Sequence, residues 1–328
     1  KIYEYFIGRD ETAISEMGAY FTDRHIVNYI YDVKIKPKPD ENGNIPEMVD
    51  MFGGSGGFTT GYIDYLNKNY PNKINWETEI KKVFHYDMNH DVIKSAWLEM
   101  FCLTGQMPDK DNVCYKNSFM DDFHAKGSTT MNPQFKKFMY LITNPPYGGD
   151  KAEETDTQKK NAKVKEYLKK LLPTITDEED KKKKNIQLKQ IEKDEKILKQ
   201  KVENTKVGLT TDPANPRSSK RVNNFAKLHN ITTANDKESI SLLMLMDMVD
   251  IGGTVCGVLK EGVFFNKTYK DIRRLLVEKF NVREVISVPS DQFENTKTKT
   301  SILIFDNLAE KTTSTVKFSE IVVEKYTA

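Results

Sequence analysis

The stretch "EMVDMFGGSGGFTTGYIDYLNKNY" (residues 47–70) decides the fold class. Its first six residues read as a short buried strand, and residues 58–70 read as a helix. Between them lies "GGSGGF", where glycines let the backbone turn sharply and come close to a ligand that side chains would block. The same unit recurs downstream. "KKVFHYDMN" (81–89) reads as a strand and "HDVIKSAWLEMFCLTG" (90–105) as a helix stopped by Gly105. "NVCYKNSF" (112–119) and "KFMYLITNPPY" (137–147) supply two more strands. Strands alternating with helices imply parallel βαβ units and an open α/β sheet. Upstream, "TDRHIVNYIYDV" has helical apolar spacing, with Thr22 or Asp23 as its N-cap.

The rhythm breaks at residues 150–206, which are dense in Lys, Glu, Asp and Gln with sparse apolar positions. They read as a helical hairpin with "LLPTITDEED" at its turn, followed by a loop over 210–224. The α/β pattern resumes with helix 237–249, strand 253–260, helix 269–280 and strands 282–289 and 299–306. The expected organisation is therefore residues 1–149 as the first half of one α/β domain, 150–224 as a charged insertion with a basic loop, and 225–328 as the second half. The insertion reads either as a solvated helical face or as an arm contacting DNA or a subunit.

Of the 328 residues, 38% are hydrophobic and 30% charged, which suits a globular protein. No apolar run reaches the roughly 18–20 residues of a membrane span, and no secretory leader opens the chain. The three cysteines lack C-x-x-C spacing, so neither a disulfide framework nor a metal site is expected. A cytoplasmic setting follows as an expectation. The net charge of +2 is too small to identify a nucleic-acid partner, so local clusters matter more.

Four segments carry chemistry. The Gly-rich turn, with Gly54 and Gly56 ahead of Phe58, lacks the lysine of a phosphate-binding P-loop. Asp50 ends the first strand, either facing a cationic or hydroxyl-bearing part of a ligand or serving as a cap. Asp87 closes the second strand, where a carboxylate accepts hydrogen bonds from a ribose diol or is simply solvated. Asn117 closes the third, with an amide suited to a base edge. The fourth segment, "LITNPPYGGD" (141–150), ends its strand on two prolines, which cannot extend a ladder. That rigid tip presents the Asn144 amide, a backbone carbonyl and the Tyr147 ring, a set suited to a flat, hydrogen-bonding object.

"GGSGGF", Asp87 and "NPPY", in this order, resemble the S-adenosylmethionine-dependent amino-methyltransferases. The nearest resemblance is to the N6-adenine DNA methyltransferases that include the modification subunits of type I restriction–modification systems. "GAYFTDRHIV" (18–27) is similar to that group's Gly-x-aromatic-aromatic-Thr-Pro motif, with Asp23 in place of proline. "LKEGVFF" (259–265) parallels its Leu-Pro-Asp-Gly segment, with Lys260 and Glu261 as departures. "VPSDQFENTKTKTSILIF" (288–305) resembles its late Phe/Thr-rich segment.

The resemblance implies a Rossmann-like class I methyltransferase using S-adenosylmethionine. Asn144 and the carbonyl of Pro145, made rigid by Pro146, would accept the two N–H bonds of a target amino group, and Tyr147 would stack on its base. Phe293 is the candidate for the second stacking face, or else an ordinary core residue. Tyr20 and Thr22 would meet the methionine end of the cofactor, though Thr22 is equally explained as an N-cap. Asp50 and Asp87 would take the ammonium side and the ribose, with Asn117 at the adenine and Gly54, Gly56 and Phe58 in the loop around it. Arg217, Lys220 and Arg221 in "PRSSKR" are candidate DNA phosphate contacts. The implied reaction is methyl transfer to a flipped-out DNA adenine, with no metal required. RNA adenine, cytosine N4 and a protein glutamine amide remain alternative acceptors, and a non-catalytic cofactor- or DNA-binding subunit an alternative role. About 20 residues follow 306, too few for a target-recognition domain, so a specificity subunit or a further part of a longer chain is expected to supply recognition.

Overall fold

The computed structural model describes residues 22–129, 133–147, 156–289 and 299–322. Helix α1 (Arg24–Tyr29) opens the described chain, capped by Asp23, whose carboxylate accepts from His25 N–H at 2.7 Å. Strand β1 (Met48–Asp50) leads through the glycines into α2 (Gly57–Asn69). Then come β2 (Val83–Asp87), α3 (His90–Thr104), β3 (Val113–Tyr115) and β4 (Phe138–Thr143). Gly105 closes α3 at φ +69, the left-handed cap that glycine adopts without penalty.

A helical hairpin follows, α4 (Asp156–Leu171) and α5 (Glu178–Thr205). Its arms are antiparallel: Lys165 meets Glu195, and Lys169 lies 3.4 Å from Glu192. The chain returns through α6 (Lys220–Leu228) and α7 (Lys237–Met248) to β5 (Val249–Lys260). Helix α8 (Lys270–Lys279), β6 (Asn281–Val288), β7 (Thr300–Asp306) and β8 (Lys317–Glu320) complete it.

All eight strands form one sheet in the order β3-β2-β1-β4-β5-β7-β6-β8. The first five in that order are parallel, while β7 runs antiparallel to both β5 and β6. Strand periodicity sends alternate residues to opposite faces. Thus Val49, Leu141 and Val255 join a core under α6, α7 and α8. Met48, Ile142 and Cys256 join the other, with Tyr62 of α2 and Met100 of α3. A Cβ at Gly61 would lie 2.4 Å from Val27 Cγ1, so this glycine is what allows α1 to pack so closely on α2.

Three local expectations change. β3 stops at Tyr115 rather than reaching residue 119, because Asn117 starts a turn: its side chain accepts from Phe119 N–H and its carbonyl from Met120 and Asp121 N–H. Part of the loop expected over 210–224 is helical. Ser219 caps α6, and Val222 and Ala226 are buried in the core, so this helix runs across the 224/225 boundary. β8 is additional to the expected strands and pairs in parallel with β6.

Candidate functional site

Asp50, Asp87 and Asn144 stand at or just past the carboxyl ends of β1, β2 and β4, and Asn117 lies two residues beyond β3. In an open parallel sheet that edge is where ligands bind. All four line one cleft, with Thr22, Gly54, Phe58, Pro145 and Pro146.

The glycine loop forms the cleft's floor. Gly53 N–H donates to Tyr86 O at 2.9 Å, which ties the loop to β2. A Cβ on Gly53 would fall 2.2 Å from the buried His85 ring, so only glycine fits there. His85 is neutral in this setting, since burial pulls its pKa down to about 4. Gly54, at φ +51, has open space where a Cβ would be. Gly56, at φ +93, caps α2 and accepts from Thr59 and Thr60 hydroxyls; it supports the loop without lining the cleft.

The two carboxylates differ. Asp50 is 1% exposed and accepts from the Thr143 hydroxyl at 2.6 Å and from Phe52 N–H at 3.1 Å. Burial pushes its pKa up to about 7, opposed by those hydrogen bonds and assisted by Asp87. Asp87 accepts from Gly54 N–H and Asn89 N–H, each at 2.9 Å, and burial raises its pKa against them. Asp87 is thus both loop anchor and cleft wall.

The tip after β4 is fixed from two sides. Asn144 Nδ2 donates to Thr22 Oγ1 at 3.1 Å, and the Tyr147 hydroxyl reaches both Asn144 Oδ1 and Val258 O. Because Asp23 caps α1, the Thr22 hydroxyl is available to receive Asn144. Tyr147 does not line the cleft; its hydroxyl turns inward, and burial raises its pKa.

Sequence reasoning missed several walls. Phe52 and Phe119 pack with ring centroids 4.9 Å apart, and Met88 follows Asp87 into the cleft. Lys116 lies 5.1 Å from the Tyr86 ring centroid and pairs with Asp121 at 3.3 Å. Met88 and Lys116 could have been found as neighbours of the strand-end residues; the phenylalanine pair had no local signal.

Of the basic candidates, Arg221 requires correction. It is 3% exposed, its guanidinium pairs with Asp247 and donates to Lys136 O at 2.8 Å, so it is a buried anchor and not a phosphate contact. Arg217 is half-buried and donates to Lys206 O at 3.0 Å, whereas Lys220 is exposed. Tyr20 and Phe293 lie outside the described residues.

The α/β fold, here with its cleft at the carboxyl edge of the sheet, is shared with several solved structures. Similar solved structures include a modification subunit from Vibrio vulnificus YJ016, at TM-score 0.58 and 15% identity, covering 99% of this chain and 51% of that one. The type I restriction–modification methyltransferase subunit from Streptococcus thermophilus matches at TM-score 0.54 and 16% identity, covering 97% and 50%. The EcoKI M protein matches at 0.52 and 16%, covering 90% and 45%. The chain thus spans about half the length of such relatives. Comparison with curated protein sequences gives no match. Among the described residues no helix is long and apolar enough to cross a membrane. The N-6 DNA methylase family model matches residues 1–178 and 177–326, nearly the whole sequence, and the chain belongs to that family.

Proposed function

We propose that this protein transfers a methyl group from S-adenosylmethionine to the N6 amino group of an adenine flipped out of DNA. The observation that carries the reading is the placement of the Asn144 amide, held by Thr22 in the same cleft as Asp50, Asp87 and the glycine loop.

The donor set suits the cofactor. Asp50 offers a carboxylate to the methionine ammonium, and Asp87 offers acceptors to the ribose hydroxyls. Gly54 leaves open the space a Cβ would take, so the backbone can lie against the ligand. Phe52, Met88 and Phe119 give apolar walls for a flat base, beside Asn117. The cofactor supplies an electrophilic methyl on a positively charged sulfur.

An exocyclic adenine amine is a weak nucleophile because its lone pair is delocalised into the ring. Asn144 Oδ1 and the Pro145 carbonyl would each accept one N–H, which frees the lone pair to point at the methyl. Tyr147 donates to Asn144 Oδ1, orienting the amide as acceptor; a carbonyl oxygen has a second lone pair for the substrate. Positioning and oriented dipoles then carry the rate. Extruding the base costs a few kcal/mol of unstacking.

Similar structures are subunits of type I restriction–modification systems, one of them described in complex assembly, which supports a separate specificity subunit as partner. The test is transfer of labelled methyl to unmethylated double-stranded DNA, followed by nucleoside analysis, with RNA and a glutamine peptide as parallel acceptors. N6-methyladenine in DNA is the expected product. Label in cytosine, RNA or peptide instead would overturn the reading.

A further inference from the structure

The turn after β5 lies beside the catalytic loop, because the Tyr147 hydroxyl reaches Val258 O within that strand. Here Lys260 pairs with Thr300 at the start of β7, and Glu261 N–H donates to Lys299 O at 2.9 Å, so Lys260 and Lys299 lie at the same end of the β5–β7 pair. The chain then makes a tight turn over Gly262–Phe265 before α8. Its two phenylalanines face opposite ways: Phe264 packs against the core, whereas Phe265 is 65% exposed.

Exposure of a large ring on a mobile loop would mean little. This turn is pinned. Arg273 Nη1 donates to Val263 O at 2.7 Å and to Asn266 O at 2.8 Å, holding the carbonyls on either side of Phe265. Lys260, Lys267, Lys270 and Lys299 are all exposed and carry no ion pair among the described residues. Among the described residues of this turn the carboxylates are Glu261 and Asp271, and Asp271 is engaged by Arg274 at 3.4 Å. Among the described residues this turn is therefore net positive, and it carries one exposed, pinned aromatic.

Building on the proposed DNA reaction, we propose that this surface binds duplex DNA, its lysines on phosphates flanking the target and Phe265 entering the base stack where the extruded base leaves a gap. Lysines supply sequence-independent phosphate contacts. Apolar side chains that wedge into a stack stabilise the distorted duplex. The Lys260 and Glu261 departures from the family's Leu-Pro-Asp-Gly pattern fall in this turn.

The experiment reads DNA binding by fluorescence anisotropy on a short random-sequence duplex across a salt series. The variant K260Q/K267Q/K270Q/K299Q is expected to bind about tenfold or more weakly, its log–log salt slope reduced by about 0.9 for each phosphate that a lysine no longer neutralises. Unchanged affinity and slope would overturn the surface. The wedge is read by comparing an intact duplex with one carrying a single abasic site. The unsubstituted protein should prefer the abasic duplex about tenfold, and F265A should lose that preference, as the loss of one stacking contact requires. Equal preference in both proteins would overturn the wedge. Neither readout needs methyl transfer, so failure here is distinct from failure of the proposed reaction.

Discussion

Asn144 donates to Thr22 across 3.1 Å, joining two segments 122 residues apart. Thr22 thus sets where the Asn144 amide sits, not only where α1 begins. Asn144→Ala should abolish methyl transfer and leave cofactor affinity nearly intact. Thr22→Val should lower kcat by about fivefold, since a missing hydrogen bond of ~1 kcal/mol loosens the amide. The double variant should be no slower than Asn144→Ala. Single-turnover methyl transfer with cofactor titration checks all three; equal effects on cofactor binding would contradict the assignment.

Adjacent glycines should fail differently. Gly53→Ala forces a methyl into the His85 ring and should destabilise the fold by about 1–3 kcal/mol, as overpacking does. Gly54→Val places its side chain in the open cleft at a strained φ and should reduce cofactor affinity well beyond its effect on stability. Thermal unfolding with and without cofactor separates the two.

Asp50 gives a pH signature. Its folded pKa of about 7 lies above the ordinary 3.8, so the ligand-free fold holds a proton there that the unfolded chain releases. Its contribution to stability therefore falls as pH rises from about 4 to 7, the interval between the unfolded and folded values. A cationic ammonium beside Asp50 favours the ionised form, so binding at pH 6 should release part of a proton. Affinity should climb with pH up to about 7 and then level off. Calorimetry in buffers of different ionisation enthalpy measures this, and Asp50→Asn should abolish the release.

Arg221 and Lys220, neighbours in sequence, should behave as opposites. Arg221→Ala removes a buried guanidinium from Lys136 O and from half-buried Asp247, which keeps Lys137 at 3.7 Å, and should cost about 3 kcal/mol, the low end for breaking a buried pair. Lys220→Ala should stay within about 0.5 kcal/mol, as an exposed substitution does. Denaturant unfolding distinguishes them.

The strand–glycine–helix unit at 47–70 was legible because local chemistry fixes it: an apolar strand, a cluster of glycines, then a helix rich in buried aromatic and aliphatic residues. The placement of Asp50, Asp87, Asn117 and Asn144 was legible for the same reason, each lying at or within two residues of a strand's carboxyl end. What escaped depends on long-range contacts. "SSKRVNNF" looks like a basic loop until Val222 and Ala226 find the core and Arg221 finds Asp247. The inward turn of Tyr147 could not be read either, because its second acceptor, Val258 O, lies 111 residues away. Short β8 carries too little apolar pattern to stand out and forms by pairing with β6.

The antiparallel arms of α4 and α5 bring the start of one helix and the end of the other to a shared base. In chain order the hairpin is a detour between β4 and α6. Loop-closure entropy grows only logarithmically with length, so such a detour adds little to the cost of joining β4 to α6. β4 and α6 are thus joined as though the 50 residues from Asp156 to Thr205 were a graft, able to change in length while the sheet keeps its register.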